Sequence, residues 1–148
     1  DTFVNLVSNY IPTIHFSSVT KVKEIAKAIG WDGGKTEKDR KFLSDLKILC
    51  TEYNNMPFNS MKEMVDKFLN GDANALFIDI REPNEIEIAK KAFNAETVLV
   101  KRDSVVHITS NMADANVYNY QYDHIIENNG SIKDLDNTAK KFVDKLFN

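Results

Sequence analysis

Glycine is scarce here: five residues in 148, about half of what an average usage of roughly 7% would supply. That scarcity excludes a collagen-like or glycine-linker design and leaves few places for a loop that must approach a phosphate closely. Cysteine is scarcer still. The single Cys50 excludes an internal disulfide and fits a reducing cytosol; it sits in an apolar helical run with Leu46, Ile48 and Leu49, where a buried thiol is expected in preference to a nucleophile. Positive charge is not in excess. Nineteen basic residues stand against 22 acidic ones, for a net charge of −3, and the lysines are dispersed among acids, so the basic surface that duplex nucleic acid requires is excluded. Apolar runs reach only a handful of residues, short of a membrane span, and the first residues lack the basic-then-apolar order of a signal peptide. What remains, 43% apolar and 28% charged, is the composition of one globular domain over residues 1–148, expected in the cytoplasm.

Periodicity alternates between helical and extended patterns. Residues 2–9 carry Phe3, Leu6 and Val7 at helical spacing before Pro12 interrupts, and Thr13-Ile14-His15-Phe16 is extended. A helix from Ser18 places Val19, Val22, Ile25, Ala26 and Ile29 on one face and ends at Gly30. Thr36 with Asp39 predicts a capped helix carrying Phe42, Leu43, Leu46 and Leu49, broken over residues 54–57, and Ser60 with Glu63 predicts a second capping box. The run Ala75-Leu76-Phe77-Ile78 is continuously apolar, the signature of a strand covered on both faces as in a parallel sheet. Pro83 opens the next helix, residues 97–100 form another strand with a short extension at 105–108, and residues 109–121 read as a long loop. Residues 123–127 form the last strand, and Ser131 with Asp134 caps a closing helix. This order predicts an α/β fold with a mostly parallel sheet flanked by helices.

Few spacings carry chemistry. His15, His107 and His124 never pair at helical metal-site spacing, and each reads as a structural histidine near a strand. Gly33-Gly34-Lys35-Thr36 resembles the tail of a phosphate loop, but the earlier glycine falls one place late at Gly30 and a helix precedes it, so a turn and a helix cap are expected. The stretch Asp79-Ile80-Arg81-Glu82-Pro83-Asn84-Glu85 stands at the carboxyl end of a strand, where open α/β sheets bind ligands. Asp79 there can hold magnesium through water and Arg81 can clamp a phosphate in a bidentate way. A strand exit followed by a helix with acids in its first turn explains the same residues, and spacing leaves the two readings open. Arg102 offers a second guanidinium, or a solvated neighbour of Lys101 and Asp103. Tyr118, Tyr120 and Tyr122 alternate, suiting either a stacking surface or packing of the loop on the domain.

Three segments carry a resemblance: Asp1-Thr2-Phe3-Val4, residues 77–85 from Phe77 to Glu85, and Tyr122-Asp123-His124-Ile125-Ile126-Glu127-Asn128-Asn129-Gly130-Ser131 with Leu135. In these the chain resembles P-loop kinases of small nucleotides, of the deoxynucleoside monophosphate kinase, dephospho-coenzyme A kinase and adenylate kinase kinds. The resemblance implies a three-layer P-loop NTPase-like domain and ATP-dependent phosphoryl transfer to a small phosphorylated acceptor, with Mg2+ near Asp79 and with Arg81 and Arg102 on phosphates. It further implies Asp1 and Thr2 at the end of a phosphate loop, Asn128 and Gly130 beside adenine, Ser17, Ser18 and Lys21 lining the site, and Arg40 and Asp45 toward the acceptor. The glycines and lysine of that loop do not occur in this sequence, so the loop and the strand before it are expected upstream of Asp1. The alternative is a nucleotide-binding or sensing module without catalysis, suggested by residues 109–121, which carry no arginine where kinase lids carry several.

Overall fold

The computed structural model describes residues 2–104 and 116–148. Asp1, His107, the extension expected at 105–108 and the first part of the long loop lie outside the described residues. The elements follow one another as α1 (Thr2–Val7), β1 (Thr13–Ser17), α2 (Thr20–Ala28), α3 (Glu37–Asn54), α4 (Met56–Leu69), β2 (Ala75–Asp79), α5 (Pro83–Phe93), β3 (Val98–Lys101), a 3-10 turn (Val117–Asn119), β4 (His124–Glu127) and α6 (Ile132–Phe147). The fold is mixed α/β, with short parallel strands in two small sheets. β1 pairs with β2 from Thr13 opposite Ala75 to Ser17 opposite Asp79, and β3 pairs with β4 from Val98 opposite His124 to Lys101 opposite Glu127.

Parallel pairs need helical crossovers, and the helices supply them. One helix connects the two pairs. β2 leaves directly into α5, whose first residue is Pro83, and β3 begins a few residues beyond the left-handed Asn94 that ends the helix. The helix carries the chain from the end of β2 to the start of β3 and borders the same cleft as both strands through Ile86, Ala89 and Phe93. One apolar cluster serves both pairs. Phe3 and Val7 of α1 meet Leu135, Ala139, Phe142 and Val143 of α6 and Ile126 of β4, with Phe77 of β2 and Val98 of β3 packed against them. Full burial of such side chains contributes about 1.5–3 kcal/mol each, so this cluster is what holds the two strand pairs to a common face.

Where the sequence carries caps, the chain mostly uses them. Thr36 and Asp39 form a reciprocal capping box on α3, and Ser131 and Asp134 do so on α6. Gly33, with φ +91°, turns the chain ahead of Thr36, and the amide of Gly34 donates to Asp32 at 2.9 Å, so residues 33–36 are a turn and a cap. Ser60 and Glu63 are different. They match the capping-box spacing but lie inside α4, which starts at Met56; the Ser60 hydroxyl donates to the Pro57 carbonyl at 2.8 Å, and Pro57 holds the first turn. The break before α4 shrinks to one residue, Asn55, which ends α3 and starts α4 with φ 56° and ψ 32°. A β-branched residue pays about 1–2 kcal/mol in that left-handed region and glycine does not. Asn55→Val is therefore expected to lower the urea midpoint while Asn55→Gly leaves it within error. Equal midpoints for the two variants would mean that the elbow is not held in this conformation.

Two expectations of burial change. Ile29, at the end of α2, and Leu49, on α3, are exposed, and Cys50 beside Leu49 is only half-buried. β2 is half-covered along Leu76 to Ile78, since one of its edges borders an open cleft. Among the described residues, no helix is long and apolar enough to cross a membrane.

Candidate functional site

Strand direction decides which residues meet. The exits of β1 and β2 lie side by side because Ser17 stands opposite Asp79, and the Ser18 amide donates to the Asp79 carbonyl at 3.1 Å. Ser18 is buried there, and the Ser17 hydroxyl accepts weakly from the Val19 amide at 3.4 Å, turning the chain into α2. Lys21, in the first turn of α2, pairs with Glu24 at 3.4 Å. Thr2, the first residue of α1, is exposed, and the last residue of that helix, Val7, accepts from the Ile11 amide just before β1 starts. The exits of β3 and β4 form a second cluster. The Asn128 amide donates to the Lys101 carbonyl at 2.7 Å. Asn129 and Asp103 lock together through two bonds of 2.9 Å, one to the Asp103 amide and one to its carboxylate.

At the first exit, Asp79 Oδ2 bonds His15 Nε2 at 2.8 Å. Residues 15 and 17 of β1 share a face, and the register puts Asp79 diagonally across from His15, within reach on that face. Sequence spacing missed this pair because its members are 64 residues apart. Arg81 is exposed just beyond β2 and borders the cleft. Glu85, in the first turn of α5, holds Lys47 of α3 in a part-buried ion pair of 2.5 Å, which fixes α3 against the start of α5. At the second exit, Lys101 pairs with Asp103 at 3.1 Å, and that bond raises the ammonium above its ordinary pKa. Arg102 Nε donates to the Ser104 hydroxyl at 3.2 Å.

Other expected site residues have local roles. Arg40, half-buried at the start of α3, donates through Nε to the Lys35 carbonyl at 3.2 Å, and Asp45, exposed on the same helix, pairs with Lys41. Gly130 lies where an added Cβ would come 2.7 Å from Asp134 Oδ2, the atom that accepts from the Ser131 amide, so a side chain there would have to displace the carboxylate of the capping box. Of the three alternating tyrosines, Tyr120 and Tyr122 pack on the domain and Tyr118 is exposed. Tyr120 donates to Glu87 of α5 at 2.7 Å, which pushes its phenol up to about 12, Tyr122 donates to the Val117 carbonyl, and the two rings meet edge to face at 5.1 Å. His124 bonds Glu96 and sets its ring edge against Phe142, a structural use.

The residues present suit magnesium and a nucleotide in part. Among the described residues no three His, Cys, Asp or Glu side chains gather as a cage. Magnesium rarely needs one, since one or two carboxylates, waters and substrate phosphates complete its octahedron, and Asp79 is half-exposed with Oδ2 held by His15. Arg81 and Arg102 supply guanidinium groups of the kind that clamp phosphates. No family model, curated protein or solved structure matches the chain.

Proposed function

We propose that the chain handles a nucleotide at the carboxyl edge of its parallel strands, as a P-loop-type small-nucleotide kinase domain of three layers. Its reaction is ATP-dependent phosphoryl transfer to a small phosphorylated acceptor of the (deoxy)nucleoside monophosphate class, carried out in the cytoplasm. The observation that carries this reading is the gathering of Ser17, Ser18, Asp79 and Arg81 at the exits of one parallel pair, with Arg102 and Asn128 at the exits of the other. Parallel α/β sheets bind ligands at this edge. ATP with Mg2+ supplies the transferable phosphoryl group. On this chain Asp79, its carboxylate bonded to His15, would hold the metal through water, and Arg81 and Arg102 would neutralise phosphate charge. Phosphoryl transfer asks little more of a protein than positioning and charge neutralisation.

The test is titration of the chain with ATP and Mg2+ by calorimetry, followed by ADP release across nucleoside monophosphates and dephospho-coenzyme A. Saturable binding that Arg81→Ala weakens at least tenfold is expected, the loss of one charge-assisted clamp being worth about 1.5–3 kcal/mol. No saturable binding by the unsubstituted chain would sink the reading. Binding without turnover on any acceptor is the second reading, a sensing module; it is favoured by the absence of arginine after Arg102.

A further inference from the structure

β4 is bonded along one side. The His124 amide donates to the Thr97 carbonyl at 3.0 Å and the Asn128 amide to the Lys101 carbonyl at 2.7 Å, so the even-numbered residues of β4 bond toward β3. In a parallel ladder the alternate residues turn their N–H and C=O groups the other way, so Ile125 and Glu127 hold theirs out to the free edge. Among the described strands, β4 pairs only with β3. Beside that edge runs a concave strip of about 320 Å3 between β4 and α6, lined by residues 123–126 of the strand and chiefly by Thr138, Lys141 and Lys145 of the helix. β3 contributes nothing to its described lining, which places the strip on the outer side of β4. Lys141 and Lys145 are exposed, lie one turn apart on the flank of α6 that borders the strip, and have no ion-pair partner among the described residues. The two nearest carboxylates of the chain are engaged elsewhere: Asp123 with Lys90 and Thr97, and Glu96 with His124.

We propose that this edge receives an extended peptide of a partner protein, which adds a strand to β4 and sets acidic side chains at alternate positions against Lys141 and Lys145, with an apolar side chain between them against Ile125. Three observations select that occupant. The outward N–H and C=O groups of Ile125 and Glu127 call for a strand, and a strand in either direction satisfies them. Side-chain spacing then fits the lysines: four residues of helix advance about 6 Å, and alternate residues of a strand about 6.7 Å, so two acids on one face of the added strand meet two ammonium groups. On the other face the pattern changes. Ile126 packs in the core with α6 and His124 sets its ring against Phe142, so Ile125 points away from the helix, where it is 59% exposed and offers an apolar contact to the residue between the acids. A second copy is the poorer occupant. Antiparallel pairing of two β4 edges about a two-fold axis keeps both α6 helices on one face of the joined sheet and brings the two lysine pairs toward each other, a like-charge contact that opposes it. The proposal does not depend on nucleotide binding.

The test is fluorescence polarisation of the 148-residue chain with a labelled peptide of about seven residues alternating glutamate and valine, read together with hydrogen exchange. Saturable binding is expected, and at saturation the amides of Ile125 and Glu127 should exchange at least tenfold more slowly, while that of Ile126, already turned toward β3, stays unchanged. Reversing both charges, Lys141→Glu with Lys145→Glu, should weaken binding at least tenfold without moving Tm, since both side chains are exposed, and a peptide alternating lysine and valine should bind the reversed chain and not the unsubstituted one. No saturable binding of the glutamate-valine peptide by the unsubstituted chain overturns the proposal. So does equal binding of a peptide of the same composition with its glutamates and valines in separate blocks, or displacement by inorganic tripolyphosphate as effective as that by unlabelled peptide, either of which would mean that charge alone is recognised. Binding that leaves the Ile125 and Glu127 amides fast would place the peptide elsewhere. Protection of those amides that rises with protein concentration and without peptide would give the edge to a second copy, and either result overturns the proposal as well.

Discussion

Phe142→Ala is expected to destabilise the chain by about 3–5 kcal/mol, a loss on the order of 10 °C in Tm for a domain of this size. The side chain is 7% exposed and is the point where the helices meet both strand pairs: its ring lies edge to face with Phe3 at 5.4 Å and with His124 at 5.7 Å, and tilted against Phe77 at 6.4 Å. Truncation removes transfer free energy and also leaves a void that α1, β2 and β4 cannot all close at once. Ile132 of the same helix, 71% exposed, is the control; Ile132→Ala should stay within about 0.5 kcal/mol. Urea unfolding followed by circular dichroism measures both. Similar midpoints for the two variants would show that the two strand pairs do not share this cluster.

Asp123→Ala should cost about 5 °C in Tm, because the carboxylate organises the start of both β3 and β4. It accepts from Lys90 of α5 at 2.6 and 2.7 Å, from the buried Thr97 amide at 2.9 Å and from the Thr97 hydroxyl at 2.8 Å, while its own amide donates to that hydroxyl at 3.0 Å. The Lys90 ammonium, then the Thr97 amide and hydroxyl, hold its carboxyl well below the ordinary carboxylate range. A depressed folded-state pKa contributes stability that is fully present above the unfolded value, near 3.9, and disappears as pH falls through the folded value. Comparing Asp123→Asn with the unsubstituted chain at pH 6 and at pH 3 should therefore give a Tm gap that is wide at pH 6 and narrower at pH 3. A gap that is equal at both, or absent, would leave the carboxylate without this role.

Local signals in the sequence translated well where the physics is local. The apolar runs at residues 75–78 and 97–100 are strands, Pro83 opens a helix, and the boxes at Thr36 and Ser131 cap theirs, since each depends on residues within one turn. Ser60 with Glu63 has the same spacing and fails as a cap because Pro57 and the left-handed Asn55 start the helix a turn earlier. The features that join distant segments were not legible. The His15–Asp79 bond, the Lys47–Glu85 pair and the Asp123 clamp follow from strand register and helix placement, which no window of adjacent residues encodes. The open edge of β2 belongs to the same class. Continuous apolar character predicts a strand covered on both faces, but says nothing about which edge finds a neighbour.

The contact of α1 with α6 sets a schedule for assembly. Phe3 and Val7 complete their surroundings only against Leu135, Phe142 and Val143, more than a hundred residues later. During synthesis, therefore, α1 and the strand pair β1–β2 emerge long before the surface that buries them exists. Closing so long a loop is entropically slow, and apolar side chains wait in water until the last helix arrives. A ribosome paused before residue 132 would hold a chain with the β1–β2 sheet started and no common core, the state in which an unpaired strand edge is most open to a wrong neighbour.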